Sequence, residues 1–173
     1  MRSIAANDRI SMLRALLSSY RPGEPFMMRF ALAAVAILLN VGVAAAQDAA
    51  APGRSQMKAN GDAIGVLVAM VKGDKPYDQA AVDAALAKFE ECVRKLPTLY
   101  PESLRGVQTD ARYSPSAKIW DDKAGFADQI SGFGSAVATA RSTTTNVDSL
   151  KASVDAIGKQ CGNCHQTYRT RNG

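Results

Sequence analysis

Cys161 and Cys164 stand two residues apart, and His165, the one histidine in the chain, follows the second directly. Two thiols and an imidazole that close together can serve four chemistries. A structural zinc site needs four Cys or His ligands around a tetrahedral ion. Here Cys92 is the only further candidate, and three ligands from one helical turn are unlike the usual paired loops. A redox dithiol normally opens a helix after a strand, where the helix N-terminus lowers the first thiol's pKa; no such strand precedes this motif. A disulfide inside one turn constrains almost no loop. Covalent attachment of a c-type haem uses all three residues at this spacing: Cys161 and Cys164 as thioether links, His165 as proximal iron ligand.

The elements that must position these residues read as helices. Val147, Leu150, Val154, Ile157, Cys161, Cys164 and Tyr168 recur at alternating threes and fours, so the motif closes the core-facing stripe of a final helix. A first helix from Arg54 carries Met57, Ile64, Val68 and Val71 and stops at Gly73-Asp74-Lys75-Pro76. Asp78 caps a second, with Val82, Leu86, Phe89, Val93 and Leu96 in phase, ended by Pro97 and Pro101. A polar crossover, about 101–115, reads as loop. A third helix spans about 116–140 with Ile119, Phe126, Ile130, Phe133 and Val137 in phase; Gly125, Gly132 and Gly134 weaken it, so packing must hold it. No stretch alternates as a strand. The expected fold is all-α, an antiparallel four-helix bundle with one longer crossover.

The N-terminal part reads as a leader. Arg29, an apolar run from Phe30 to Val43 and the small residues Ala44 to Ala46 describe a secretory signal peptide. The run falls short of the roughly 20 residues of a membrane span. Cleavage is expected after Ala46, so that residues 1–46 are removed, 47–53 form a flexible start and 54–173 form the domain. Residues 1–26 are either a long basic n-region or follow a start codon placed too early, with Met27 or Met28 the true start. Of 21 Lys+Arg and 16 Asp+Glu, five and two fall within 1–46, which leaves 16 basic and 14 acidic residues in the domain. A near-neutral domain without a Lys/Arg run is a poor nucleic-acid binder. Export implies a periplasmic protein, with no stable membrane insertion once the leader is gone.

Several segments together resemble the class II cytochromes c, the cytochrome c′ family: Met57-Lys58-Ala59-Asn60-Gly61, Lys72 to Val82, Leu96-Pro97, Tyr100-Pro101, Lys118-Ile119-Trp120 and Cys161 to Arg169. The likeness covers nearly all of 54–171 and is greatest to the low-spin cytochrome c-556 branch. That branch implies one covalent haem c with a first-helix methionine as sixth iron ligand, and Met57 holds the matching position. Thioether ligation favours the ferrous state and suits one-electron transfer. The alternative is a five-coordinate, c′-like protein that binds NO or CO, with Met57 packed above the iron as an ordinary flexible core residue. Met70, 13 residues on, lies on roughly the opposite face of the helix. Arg54 is either a propionate partner or a solvated arginine at a helix start. Arg169 is placed beside the haem or a propionate. Gly61 lets a flat ring approach, while Trp120, Phe126 and Tyr168 are candidates for its walls or for ordinary core. Cys92 is expected to be a small, half-buried thiol, with an intermolecular disulfide as the alternative. The resemblance implies redox partner proteins and a candidate homodimer through the first two helices. It does not imply an enzyme, because a peroxidase would want a distal base and the only histidine is already assigned to the iron.

Overall fold

The computed structural model describes backbone from Phe26 to Asn172 and side chains from Ala49. The chain divides into two compact units, 1–42 and 43–173. The first is described as helical backbone from Phe26. The alternatives for the extreme N-terminus lie outside the described residues, apart from Phe26 itself. Among the described residues no helix is long and apolar enough to cross a membrane.

The second unit holds the bundle. Its helices are α1 (Phe26–Val71, shared with the first unit), α2 (Gln79–Lys95), a short α3 (Lys118–Asp121), α4 (Lys123–Thr143) and α5 (Val147–Tyr168). The four long helices form the bundle that the periodicities predict. Residues 47–53, expected as a flexible start, are helical, with Ala50 only 4% exposed. Alanine is the best helix former, and its small side chain allows close packing.

Local chemistry accounts for the boundaries. Gly73 adopts φ +80° at the end of α1, and its N–H reaches the Met70 carbonyl at 3.1 Å. Pro76 then bars continuation. The Asp78 carboxylate accepts the Ala80 and Ala81 N–H groups at the start of α2, and Arg94 and Lys95 sit at the negative end of its dipole. Asn146 and Ser149 form a reciprocal capping box at the start of α5.

Packing follows the expected stripes with two exceptions. Val82, Leu86, Phe89 and Cys92 of α2 are buried, and Phe89 meets Phe133 of α4 edge-on at 6.0 Å. Burying each such side chain contributes about 1.5–3 kcal/mol. Gly134 lies against Val93 and Gly132 against Gln160, so the glycines that weaken α4 as a helix let its neighbours approach closely. Val147, the first of the α5 stripe, is 41% exposed. On α1 the buried face is Ala63, Leu67 and Met70, whereas Met57, Ile64, Val68 and Val71 are half-buried.

Two further departures lie in the crossover. The expected single third helix breaks at Asp122, whose carboxylate accepts the Gly125 N–H at 3.0 Å and so starts α4 afresh. The region read as loop, about 101–115, holds a 3₁₀ turn, Glu102–Leu104, and a strand β1, Tyr113–Pro115, after a first 3₁₀ turn, Leu96–Thr98, that ends α2. This strand pairs antiparallel with β2, Arg169–Arg171, immediately after α5. Three-residue strands are too short to alternate visibly.

Asp122 also accepts the Tyr168 hydroxyl at 2.9 Å, tying the start of α4 to the end of α5. A Cβ at Gly125 would lie 2.6 Å from that hydroxyl and closer still to the carboxylate. Gly125→Ala is therefore expected to break the tie and cost about 1–3 kcal/mol, read as a melting midpoint several degrees lower. An unchanged midpoint would refute the close approach. The Gly125 N–H first, and the Tyr168 hydroxyl second, hold the Asp122 carboxyl below its ordinary pKa. A carboxyl so lowered stabilises the fold above its unfolded pKa, and that contribution is lost as pH falls through the native value. The midpoint is expected to fall with acid below about pH 4, and less steeply in Asp122→Asn. Parallel acid limbs in the two proteins would count against it.

Candidate functional site

Inside the bundle lies a cavity of about 760 Å³, within the ~300–1,000 Å³ of small-molecule and cofactor sites. Each of the four long helices contributes a wall. α1 presents Met57, Gly61 and Ile64, α2 presents Phe89 and Cys92, and α4 presents Phe126, Ile130 and Phe133. α5 presents Cys161, Cys164, His165 and Tyr168, and the crossover closes one side with Thr109 to Pro115. The half-burial of Met57 and Ile64 now has a cause: they face this space instead of another side chain.

The three residues of the motif share one helical face at i, i+3 and i+4, and all three are half-buried on the cavity wall. Burial pushes the Cys161 thiol up, and pushes Cys164 to about 11 with the other two cysteines adding to the effect. Burial also lowers His165, with Arg169 contributing. The imidazole is thus held neutral, the form that binds iron.

Of the residues expected around a haem, the structure brings Arg54, Met57, Gly61, Phe126, Cys161, Cys164, His165, Tyr168 and Arg169 to one cavity. Met70 is 3% exposed, buried in the core and away from the cavity lining. A Cβ at Gly61 would meet no atom within 4 Å, so the α1 wall is open where a flat ring would approach. Arg54 donates from Nη1 to the Thr109 carbonyl at 2.6 Å, holding the crossover against α1. The Arg169 guanidinium lies 4.1 Å from the Tyr113 ring centroid.

Trp120 does not reach the cavity. Its indole N–H donates to the Tyr100 carbonyl at 3.0 Å, with Arg105 over its ring. Tyr100 itself lines the cavity and meets Phe126 edge-on at 6.3 Å. Trp120 therefore supports the wall from one layer behind, while Ile119 beside it on α3 lines the cavity. Cys92 is 1% exposed, fully buried instead of half-buried, and accepts a hydrogen bond from Asn60 Nδ2 at 2.9 Å. Such burial takes its thiol out of reach of a second chain.

Sequence reasoning missed two features. Gln129 lines the cavity, and its Oε1 is buried with no hydrogen-bond partner. A buried orphan acceptor is costly, so this wall is complete only when something fills the cavity. A glutamine in phase with neither core nor motif carries no signal in the sequence. The β1–β2 pairing is the second. Two thiols and a neutral imidazole on one face, apolar walls, an open glycine opposite and an orphan polar atom together fit a covalently held haem.

The family model described as cytochrome C′ matches residues 48–169. A curated cytochrome c-556 of Rhodopseudomonas palustris is 45% identical over 149 residues, covering 85% of this chain and all of that one. Among solved structures, an NMR-validated structural model of oxidised cytochrome c556 from R. palustris is 47% identical. It superposes with a TM-score of 0.66 over 73% of this chain and 99% of its own. Cytochrome c′ from the same organism, 32% identical, also gives 0.66, over 73% and 98%. All these matches include the bundle and the cavity it encloses.

Proposed function

This chain belongs to the cytochrome c′ family, monohaem c-type cytochromes, and from that premise we propose that it is an exported one-electron carrier with His165 and Met57 as the two axial ligands. The observation that carries the ligand assignment is the division of labour on α1: Met57 faces the cavity that holds His165, while Met70 is buried elsewhere.

Haem c, when bound, supplies an iron that takes up and gives back one electron. Cys161 and Cys164 would hold it by two thioether bonds, so that it could not dissociate between oxidation states. His165 offers a ring nitrogen from one helix and Met57 a thioether sulfur from another. Phe126, Ile130 and Phe133 keep water from the ring faces. A neutral imidazole and an uncharged thioether change neither charge nor protonation as the electron comes and goes, which keeps rearrangement small.

Nothing in the cavity calls for proton transfer. Asp110 is the one carboxylate among the lining residues, and its Oδ1 is occupied by the Arg112 backbone N–H at 2.8 Å. This supports a carrier role without substrate chemistry. The five-coordinate, gas-binding reading is favoured by one observation, the open space at Gly61 beside Met57.

Export is supported by Pro52. It lies inside α1 as the structure has it, where a proline costs a hydrogen bond and clashes with the preceding turn. With cleavage after Ala46, it falls in or next to the first turn of the mature helix, where its missing N–H leaves little unsatisfied. The boundary between the compact units at Gly42 lies close to that point. A periplasmic location goes with this reading.

Absorption spectra of the mature holoprotein test the function. Oxidised, reduced, and reduced under CO, a carrier is expected to be low-spin throughout, with a sharp reduced α band that CO barely changes. A high-spin reduced spectrum that shifts readily with CO would make gas binding the function.

A further inference from the structure

The two short strands bring three arginines to one side of the cavity. Arg169 and Arg171 alternate along β2, in register with Pro115 and Tyr113, and Arg112 precedes β1. All three are exposed, and Arg112 and Arg169 line the cavity. None enters an ion pair among the described residues. Elsewhere some basic groups are matched: Arg105 with Glu102 and Asp121, Arg141 with Asp83 and Glu90, Lys58 with Asp62, and Lys88 and Lys95 with Glu91. Against the domain's near balance of 16 basic and 14 acidic residues, this side of the cavity gathers three exposed arginines, with Asp110 the one carboxylate among the lining residues.

The backbone under these arginines is fixed. Beyond the ladder, the Ser116 N–H donates to the Tyr168 carbonyl at 3.0 Å and the Asn172 N–H to the Arg112 carbonyl at 2.9 Å. Ser114 Oγ bonds Asn172 Oδ1 at 3.0 Å, and Arg169 rests on the Tyr113 ring. A fixed platform loses little freedom on association.

We propose that the arginines of this strand pair form the docking surface for the redox partner, a protein whose contacting face is rich in carboxylates. The proposal rests on the carrier reading and names the chemistry of its partner. Guanidinium forks match carboxylates two bonds at a time. Charges at the rim of a contact mainly raise the rate of encounter and make it salt-dependent. Placed beside the cavity, they bring the partner to the side where the electron path is shortest.

Stopped-flow oxidation of the reduced mature holoprotein tests this with two small reagents. Hexacyanoferrate(III) is an anion that accepts one electron to become hexacyanoferrate(II). Tris(phenanthroline)cobalt(III) is a cation that accepts one to become cobalt(II). The protein loses one electron to either, and no bond forms or breaks. Raising ionic strength from about 10 to about 200 mM shortens the Debye length from ~30 to below ~10 Å. The anion's rate constant is expected to fall roughly tenfold over that range, while the cation's holds or rises. Arg112→Glu and Arg171→Glu are expected to weaken or reverse this pattern. Lys151→Glu, about 21 Å from His165 along the axis of α5, is expected to retain it.

Equal salt dependence for both reagents in the unaltered protein would overturn the proposal, whatever the variants do. So would charge reversal at Arg112 and Arg171 without effect on the salt dependence. If the substitutions instead alter only the pH dependence of the midpoint potential, the arginines serve haem propionates and the docking surface is refuted. Slow electron loss to both reagents together with ready CO binding would remove the carrier reading itself, a failure distinct from these.

Discussion

Met57→Ala is expected to turn a low-spin, CO-resistant haem protein into a high-spin one that binds CO readily. While the thioether occupies the iron, CO sees only the fraction of molecules in which it has let go. If that fraction is about 1%, removing the side chain raises the apparent CO affinity about 100-fold. Losing a ligand that favours the ferrous state should also lower the midpoint potential, by on the order of 100 mV. Met57→Leu separates ligation from packing: it nearly conserves volume and should cost less than about 1.5 kcal/mol, yet it lacks the sulfur. Both variants should show the same change in coordination. If Met57 only packs above the iron, Met57→Leu will keep the parent's spectrum and CO response.

The second large effect is expected from Cys161→Ser combined with Cys164→Ser. Serine is close to cysteine in size but cannot form the thioether, so the loss is chiefly the two thioether bonds. Without covalent haem the bundle would enclose a cavity of about 760 Å³. Its apolar walls, Phe89, Phe126, Ile130 and Phe133 among them, would then face water, and burying each such side chain contributes about 1.5–3 kcal/mol against the ~5–15 kcal/mol that folds a typical domain. The walls cannot stay where they are. The purified double variant should keep far-ultraviolet helical signal, lose near-ultraviolet aromatic signal and unfold without a cooperative transition. A cooperatively melting apoprotein with the parent's aromatic signal would show that the bundle packs without its haem.

How far the sequence carried the fold depended on whether each signal was local. The helix ends were legible because Gly73, Pro76, Asp78 and Asn146 act on their own backbone within a few residues. The motif was legible because its spacing places Cys161, Cys164 and His165 on one face without help from elsewhere. The family resemblance singled out Met57 and helical phase set Met70 aside; in the structure Met57 lines the cavity and Met70 is buried in the core. The features that escaped are non-local. β1 and β2 are far apart in the chain and three residues each. The break at Asp122 depends on a hydroxyl from Tyr168 as well as its own cap. The helix through 47–53 holds a buried Ala50, which composition alone does not announce. Trp120 sits one layer back because a carbonyl from Tyr100 claims its N–H. Gln129 acquires meaning only once a cavity is seen beside it. The half-burial of Met57 and Ile64 on α1 also makes sense only with that space in view.

The central claim is that Met57 and His165 bind one iron from opposite sides. Proton NMR of the fully reduced holoprotein reads this most directly, because a methionine on a diamagnetic haem iron lies in the ring current of the porphyrin. A three-proton methyl resonance far upfield of the protein envelope, absent in Met57→Leu, is the result expected. A reduced protein with no such resonance, or one whose upfield methyl survives Met57→Leu, would contradict it.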